Sequence, residues 1–149
     1  MSTNPSAETM GAIMAGMIDG WNRGDAAAFV ADFADDAEFV AFNGAVLKGK
    51  DEIVPFHQGL FDTDLKGSRL VDGQVVFARI VGPNWGVVHQ RVGVVMPGED
   101  TPLASRDSMQ LLAVRWRGER WQVVALQNAR VFSLERQLAL DALEQADQK

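Results

Sequence analysis

Apolar side chains between residues 7 and 23 (Ile13, Met14, Met17, Ile18 and Trp21) recur every three or four positions, which predicts a helix with one buried face. "NRGD" ends it. Gly24 can take the left-handed conformation that closes a helix, and Asp25 can accept hydrogen bonds from the first amides of a second helix over residues 26–33. Four acids lie at its end and just beyond, Asp32, Asp35, Asp36 and Glu38. Next, "EFVAF" and "AVLKG" predict two short strands joined at Asn43-Gly44, a pair that favours a type I′ hairpin. "KDEIVPFHQGLF" predicts a third helix, with acids in its first turn and Pro55 early enough for its missing amide to cost little.

From Ser68 onward the texture is β. "RLVDGQVVFARIV", "WGVVHQRVGVVM", "SMQLLAVRW" and "WQVVALQNARVF" are rich in valine and separated by Gly, Pro or charged turns. "WRGERW" predicts a hairpin bent at Gly118, with Trp116 opposite Trp121. Residues 134–145 are amphipathic, either a helix or a frayed tail. Helices followed by a meander define an α+β domain, with the helices on one face of a strongly curved antiparallel sheet. Several strands are apolar on both faces, so another subunit is expected to cover the second face. The domain is expected over residues 7–133, after a disordered leader over residues 1–6.

Composition narrows the partners. A chain of 149 residues, 47% apolar, can bury one proper core. No run approaches the length of a membrane span, and the first residues carry neither the basic nor the apolar stretch of an export signal. With no cysteine, disulfides and thiolate chemistry are excluded, which fits a cytoplasmic protein. A net charge of −6 with scattered arginines disfavours nucleic acid and points to a small apolar ligand or another protein. Neither a cofactor nor a metal is expected: Asp35 and Asp36 are adjacent and diverge, unlike the converging oxygens of a cation loop.

"WNRGDAAAFVADFADDAEFVAFNG", "LKGKDEIVPFH" and "RWQVVALQNARV" together resemble the nuclear transport factor 2-like superfamily, which includes ketosteroid isomerases and SnoaL-type polyketide cyclases. Within it the sequence is similar to the SgcJ/EcaC group of enediyne and other polyketide gene clusters. The resemblance implies a cone-shaped, cystatin-like α+β barrel, an apolar pocket between helices and sheet, and a homodimer through the outer face of the sheet. It implies a pocket protein for a small hydrophobic or polyketide-derived ligand, accessory to a biosynthetic enzyme, or alternatively a cofactor-independent cyclase, dehydratase or isomerase working by acid/base chemistry.

The residues favour the first. Isomerase-like members keep their general base at the position of Ala41 and a tyrosine that holds the oxyanion at that of Met17. Neither side chain here can do that work, and the chain has no tyrosine. Strand alternation puts Val87, His89 and Arg91 on one face, which the resemblance turns inward. His89 is then a candidate acid or base and Arg91 a clamp for a carboxylate or enolate; alternatively His89 bonds a backbone carbonyl and Arg91 pairs with Asp107. Met109, Leu111 and Ala113 are expected on the same inward set, with Asp107 near the mouth, where cyclase-like members keep an acid/base aspartate. Val124, Leu126 and Asn128 are also expected inward, Asn128 either orienting a ligand carbonyl or cross-linking strands. Trp21, Met17, Phe56 and Phe61 are expected to form the helical wall, with His57 exposed beside Phe56.

Overall fold

A computed structural model describes residues 5–149. Four α-helices and six β-strands follow one another as α1 (Gly11–Asn22), α2 (Ala26–Phe29), β1 (Phe33–Val40), β2 (Val46–Lys48), α3 (Lys50–Asp62), β3 (Arg69–Gly82), β4 (Trp85–Val95), β5 (Ser108–Trp116), β6 (Trp121–Arg130) and α4 (Leu134–Asp147). The strands form one curved, open sheet in the order β2-β1-β6-β5-β4-β3. The α+β architecture is the expected one. The sheet, however, is not wholly antiparallel, since β1 runs parallel to β6. No hairpin joins those two strands, so no turn dictates their relative direction.

The segment "WNRGD" turns out to be scaffold. Trp21 Nε1 donates to Ser68 Oγ at 3.0 Å. Asn22 exchanges hydrogen bonds with both backbone groups of Leu70, as a neighbouring strand would. Gly24 takes φ +65° and stops α1, and the Asp25 carboxylate accepts from Ala28 N at 3.0 Å at the start of α2. Gln58 on α3 closes the group by accepting from Ala26 N and donating to Gly24 O. The end of α1, the start of β3 and the middle of α3 are thus fixed relative to one another by side chains.

Two local expectations change. Helix α2 stops at Phe29, and the acids Asp35, Asp36 and Glu38 lie on β1, with Asp35 and Asp36 exposed where the β1–β6 register slips. The turn after β1 has three residues, with Gly44 N donating to Ala41 O and only Gly44 at positive φ, +84°. That is a type I turn closed by a left-handed glycine rather than type I′, which needs positive φ at both central residues.

The four long strands form as the sequence predicts, and Trp116 opposes Trp121 with centroids 5.3 Å apart, edge to face. Helices α1 and α3 cover the concave face, burying Ile13, Phe33, Ile53, Leu112 and Val123 between helices and sheet. Among the described residues no helix is long and apolar enough to cross a membrane. Of the expected leader, residues 1–4 lie outside the described residues, while the Ser6 carbonyl accepts from Trp121 Nε1 at 3.0 Å. Helix α4, capped by Ser133, is exposed along most of its length.

Candidate functional site

Strand parity decides which side chains meet a ligand. From Trp85 to Val92 of β4 the buried positions are Gly86, Val88, Gln90 and Val92, and on β5 they are Ser108, Gln110, Leu112, Val114 and Trp116. These face the helices. The other face of β4 and β5 carries Val87, His89 and Arg91 beside Ala113, Leu111 and Met109. That pairing is the one the sequence suggests, but the set lies on the convex face, one residue out of phase with the expectation.

His89, Arg91 and Met109 are therefore removed from the pocket wall. His89 meets the exposed ring of Phe77 edge-on, with centroids 6.1 Å apart. Arg91 Nη2 donates to Asp107 Oδ2 at 3.0 Å, so the structural pairing holds and Asp107 is an ion-pair partner. On β6 the alternation breaks between Val123 and Ala125, where the pairing with β5 slips by one residue at Val124. Leu126 and Asn128 point inward past that bulge, while Val124, the bulged residue, packs partly buried against the core.

Between α3 and the concave sheet lies a cavity of about 250 Å³. Trp21, Phe29, Phe39, Phe56, Leu70 and Val92 give it an apolar body. Of the residues expected to touch a ligand, Trp21, Ala41, Phe56 and Asn128 do line it. Met17, Phe61 and Leu126 instead belong to the packed core. Met17 Sδ lies 3.6 Å from Gln90 Nε2, and Phe61 packs edge-on against Trp21 at 4.9 Å.

Apart from Asn128, the polar groups of the cavity are ones the sequence reading missed. His57, expected to be exposed, is only 5% exposed. Ile53, His57 and Phe61 form the buried stripe of α3 at four-residue spacing, a signal that was present in the sequence. The His57 ring sits among Phe29, Phe39 and Phe56, with centroids 4.8–5.2 Å away. Its Nδ1 lies 2.8 Å from Ile53 O. A carbonyl can only accept, so Nδ1 carries the proton and Nε2 keeps its lone pair. Burial pushes the imidazole below its usual pKa, against a smaller upward pull from that hydrogen bond. His57 is thus neutral near pH 7.

A pH dependence follows. Because folding depresses this pKa, His57 contributes stability that is full above the unfolded value of 6.5 and is lost as pH falls through the folded value. Over that window the wild-type stability should fall by at most about 1.4 kcal/mol per pH unit relative to His57→Phe. Urea titrations of both proteins at a series of pH values check this; parallel curves would refute it.

Opposite His57 the sheet presents a polar ladder. Gln90, Gln110 and Asn128 are direct cross-strand partners on three adjacent strands, and Ser108 and Arg130 pair in the next row. Gln90 Nε2 donates to Gln110 Oε1 at 2.7 Å. Asn128 Oδ1 is buried with no hydrogen-bond partner among the described residues. At the mouth, Arg106 is held by Glu99 at 2.7–2.8 Å. The Arg130 guanidinium lies with its central carbon 4.1 Å from the centre of the Phe42 ring. Burial, then the charge of Arg106, lower the pKa of Arg130. Buried amides without partners are costly in a finished core. Here the unpartnered Asn128 Oδ1 lines a space that a ligand can enter.

The comparisons with known proteins agree with this fold. A family model described as a SnoaL-like domain matches residues 14–125. A domain of unknown function with a cystatin-like fold from Nostoc punctiforme is 41% identical, with a TM-score of 0.87 over 96% of this chain and 88% of that one. A ketosteroid isomerase-like protein from Erwinia carotovora atroseptica shares 17% identity, with a TM-score of 0.68 over 88% of this chain and 100% of the other. An NTF-2 like protein of unknown function from Shewanella oneidensis shares 18%, with a TM-score of 0.67 over 82% and 97%. At those lower identities the likeness shows the fold alone. No curated protein matches the sequence.

Proposed function

The chain belongs to the SnoaL-like domain family, and on that premise we propose that it is a pocket protein that binds one small, largely apolar molecule between α3 and the concave sheet. The observation that carries this is the cavity, an apolar space of about 250 Å³ with Asn128 Oδ1 buried and unpartnered in its wall. Ligand sites have this make-up: mostly apolar, with a few placed polar groups. An apolar cavity of roughly 150 Å³ is enough to take up benzene, so this one suits a substituted ring or a short chain.

The narrower reading is an accessory protein of actinobacterial polyketide biosynthesis of the enediyne type, in the cytoplasm and beside a biosynthetic enzyme. The support for it is the motif likeness to the SgcJ/EcaC group. A homodimer through the convex face fits the exposed Phe77 and Leu111 there.

A second reading, acid/base catalysis of cyclisation, dehydration or isomerisation, is favoured by the unprotonated Nε2 of His57, a residue that lines the cavity together with Gln110, Asn128 and Arg130. It differs from the ketosteroid isomerase arrangement, whose base position here is Ala41. Native mass spectrometry of the protein from its own producer, paired with thermal melts, tests both. Retention of one small molecule per chain that raises the melting temperature supports the pocket. Turnover that His57→Gln abolishes while binding persists makes the protein an enzyme. No retained molecule and no stabilisation by any compound in a small apolar panel would refute both.

A further inference from the structure

Resting on the pocket reading, we propose that the ligand is a monocarboxylic acid, its carboxylate held by the Nε and Nη2 fork of Arg130 and its carbon skeleton lying along Trp21, Phe39 and Val92. Four observations lead there. The first is what Arg130 already does. Nη1 donates to Arg106 O at 2.6 Å and faces Ser108 Oγ at 3.4 Å, while Nε and Nη2 have no hydrogen-bond partner among the described residues. Those two nitrogens carry the parallel N–H groups that match a planar carboxylate.

The second is charge. Among the described residues no carboxylate lies within 4.0 Å of Arg130, although acids outnumber bases in the chain. Asp64, which also lines the cavity, is exposed and makes no ion pair, and the charge of Arg106 is already matched by Glu99. One guanidinium is therefore left for a ligand, which suits a single negative charge better than the double charge of a phosphate monoester.

The third is rigidity. The Phe42 ring on one side and the bond to Arg106 O on the other hold the guanidinium in place, so little side-chain entropy remains to be lost on binding. The fourth is the neighbouring row. Asn128 lies two residues before Arg130 on the same inward face of β6, and its unpartnered Oδ1 can accept from a hydroxyl on the acid. Burial disfavours the charge of Arg130, and a bound carboxylate would offset that cost.

The test is calorimetric titration of the intact protein with 4-phenylbutyrate and with its neutral amide, which share a skeleton and differ in the charged end. The acid should bind at least about tenfold more tightly than the amide, the range of a charge-assisted hydrogen bond. Arg130→Gln should erase that preference by weakening the acid far more than the amide, and Arg130→Lys should keep part of it. Equal binding of acid and amide to the wild type, or a preference that survives Arg130→Gln, overturns the carboxylate assignment and leaves the pocket reading standing. If neither compound binds, the carboxylate assignment is overturned, and the pocket reading falls with it only if the whole apolar panel also fails to stabilise the protein. An acid that loses its advantage in 1 M salt but keeps it in Arg130→Gln would place the interaction on the outer surface and also overturn the assignment.

Discussion

Gly20→Ala is expected to destabilise the protein by about 3 kcal/mol or more, at or above the upper end of ordinary overpacking. A Cβ at this position would sit 2.2 Å from Phe29 N, 2.5 Å from Phe29 Cα and 2.6 Å from Ala28 C. All three are backbone atoms, so no side chain can swing away. Relief requires moving α1 from α2, and that motion pulls Trp21 and Phe29 out of register with each other, where their rings now meet edge-on at 5.6 Å. For a domain of this size the loss corresponds to a fall in melting temperature of roughly 6–12 °C. Gly24→Ala is the comparison: its Cβ would meet nothing within 4 Å, so only the strain of φ +65° is charged, about 1–2 kcal/mol. Thermal melts of the two variants check the order. A Gly20→Ala protein as stable as wild type would mean that the two helices are not in the contact described.

Ala41→Trp should abolish binding to the pocket, by at least about a hundredfold in affinity for 4-phenylbutanamide, while leaving the protein folded and cooperative. Ala41 faces the cavity at the point where β1 ends, and its backbone is fixed by Ala41 N donating to Ala45 O at 2.9 Å. An indole ring there, an apolar group that buries roughly 150–250 Å², would occupy the space left for a ligand. Because the ring is directed into a void of about 250 Å³, the cost of overpacking is expected to be offset by new contacts. The effect is to be read by calorimetry together with a melt. Undiminished binding in a folded Ala41→Trp protein would put the ligand elsewhere.

Much of this scaffold was legible because it is written in local signals. Helical spacing gave α1 and α3, the Gly24 and Asp25 pair gave the α1–α2 junction, and valine-rich runs between turn residues gave the four long strands. Which face of the sheet is inside is a tertiary property: alternation marks two sets of side chains without saying which meets the helices. The set with His89 and Arg91 was turned inward on the family resemblance, which does not fix the register of this strand to one residue. A decisive signal was nonetheless present. Trp116 must be buried against Trp121, and counting back along β5 by twos from Trp116 reaches Gln110 and Ser108 rather than Met109. The bulge at Val124 hid the corresponding count along β6, since an extra residue reverses parity without leaving a mark in composition.

His57 and Arg130 were missed for different reasons. His57 occupies the middle of an apolar stripe between Ile53 and Phe61, so its burial could have been read from spacing alone. Its proton position could not, because that depends on the hydrogen bond to Ile53 O. Arg130 sits at the end of β6 in a segment that reads as an ordinary strand terminus. Only the fold shows that Glu99 takes the neighbouring Arg106 and leaves Arg130 without an acid.

The central claim is that ligands meet the concave, even-numbered face of β4 and β5 and not the convex face with His89. One titration tests it most directly: 4-phenylbutyrate against wild type, Ala41→Trp and His89→Ala, with heat and stoichiometry measured for each. The structure predicts one site per chain in the wild type, the same affinity within about twofold in His89→Ala, and no measurable binding in Ala41→Trp. Binding that survives Ala41→Trp and disappears in His89→Ala would contradict it.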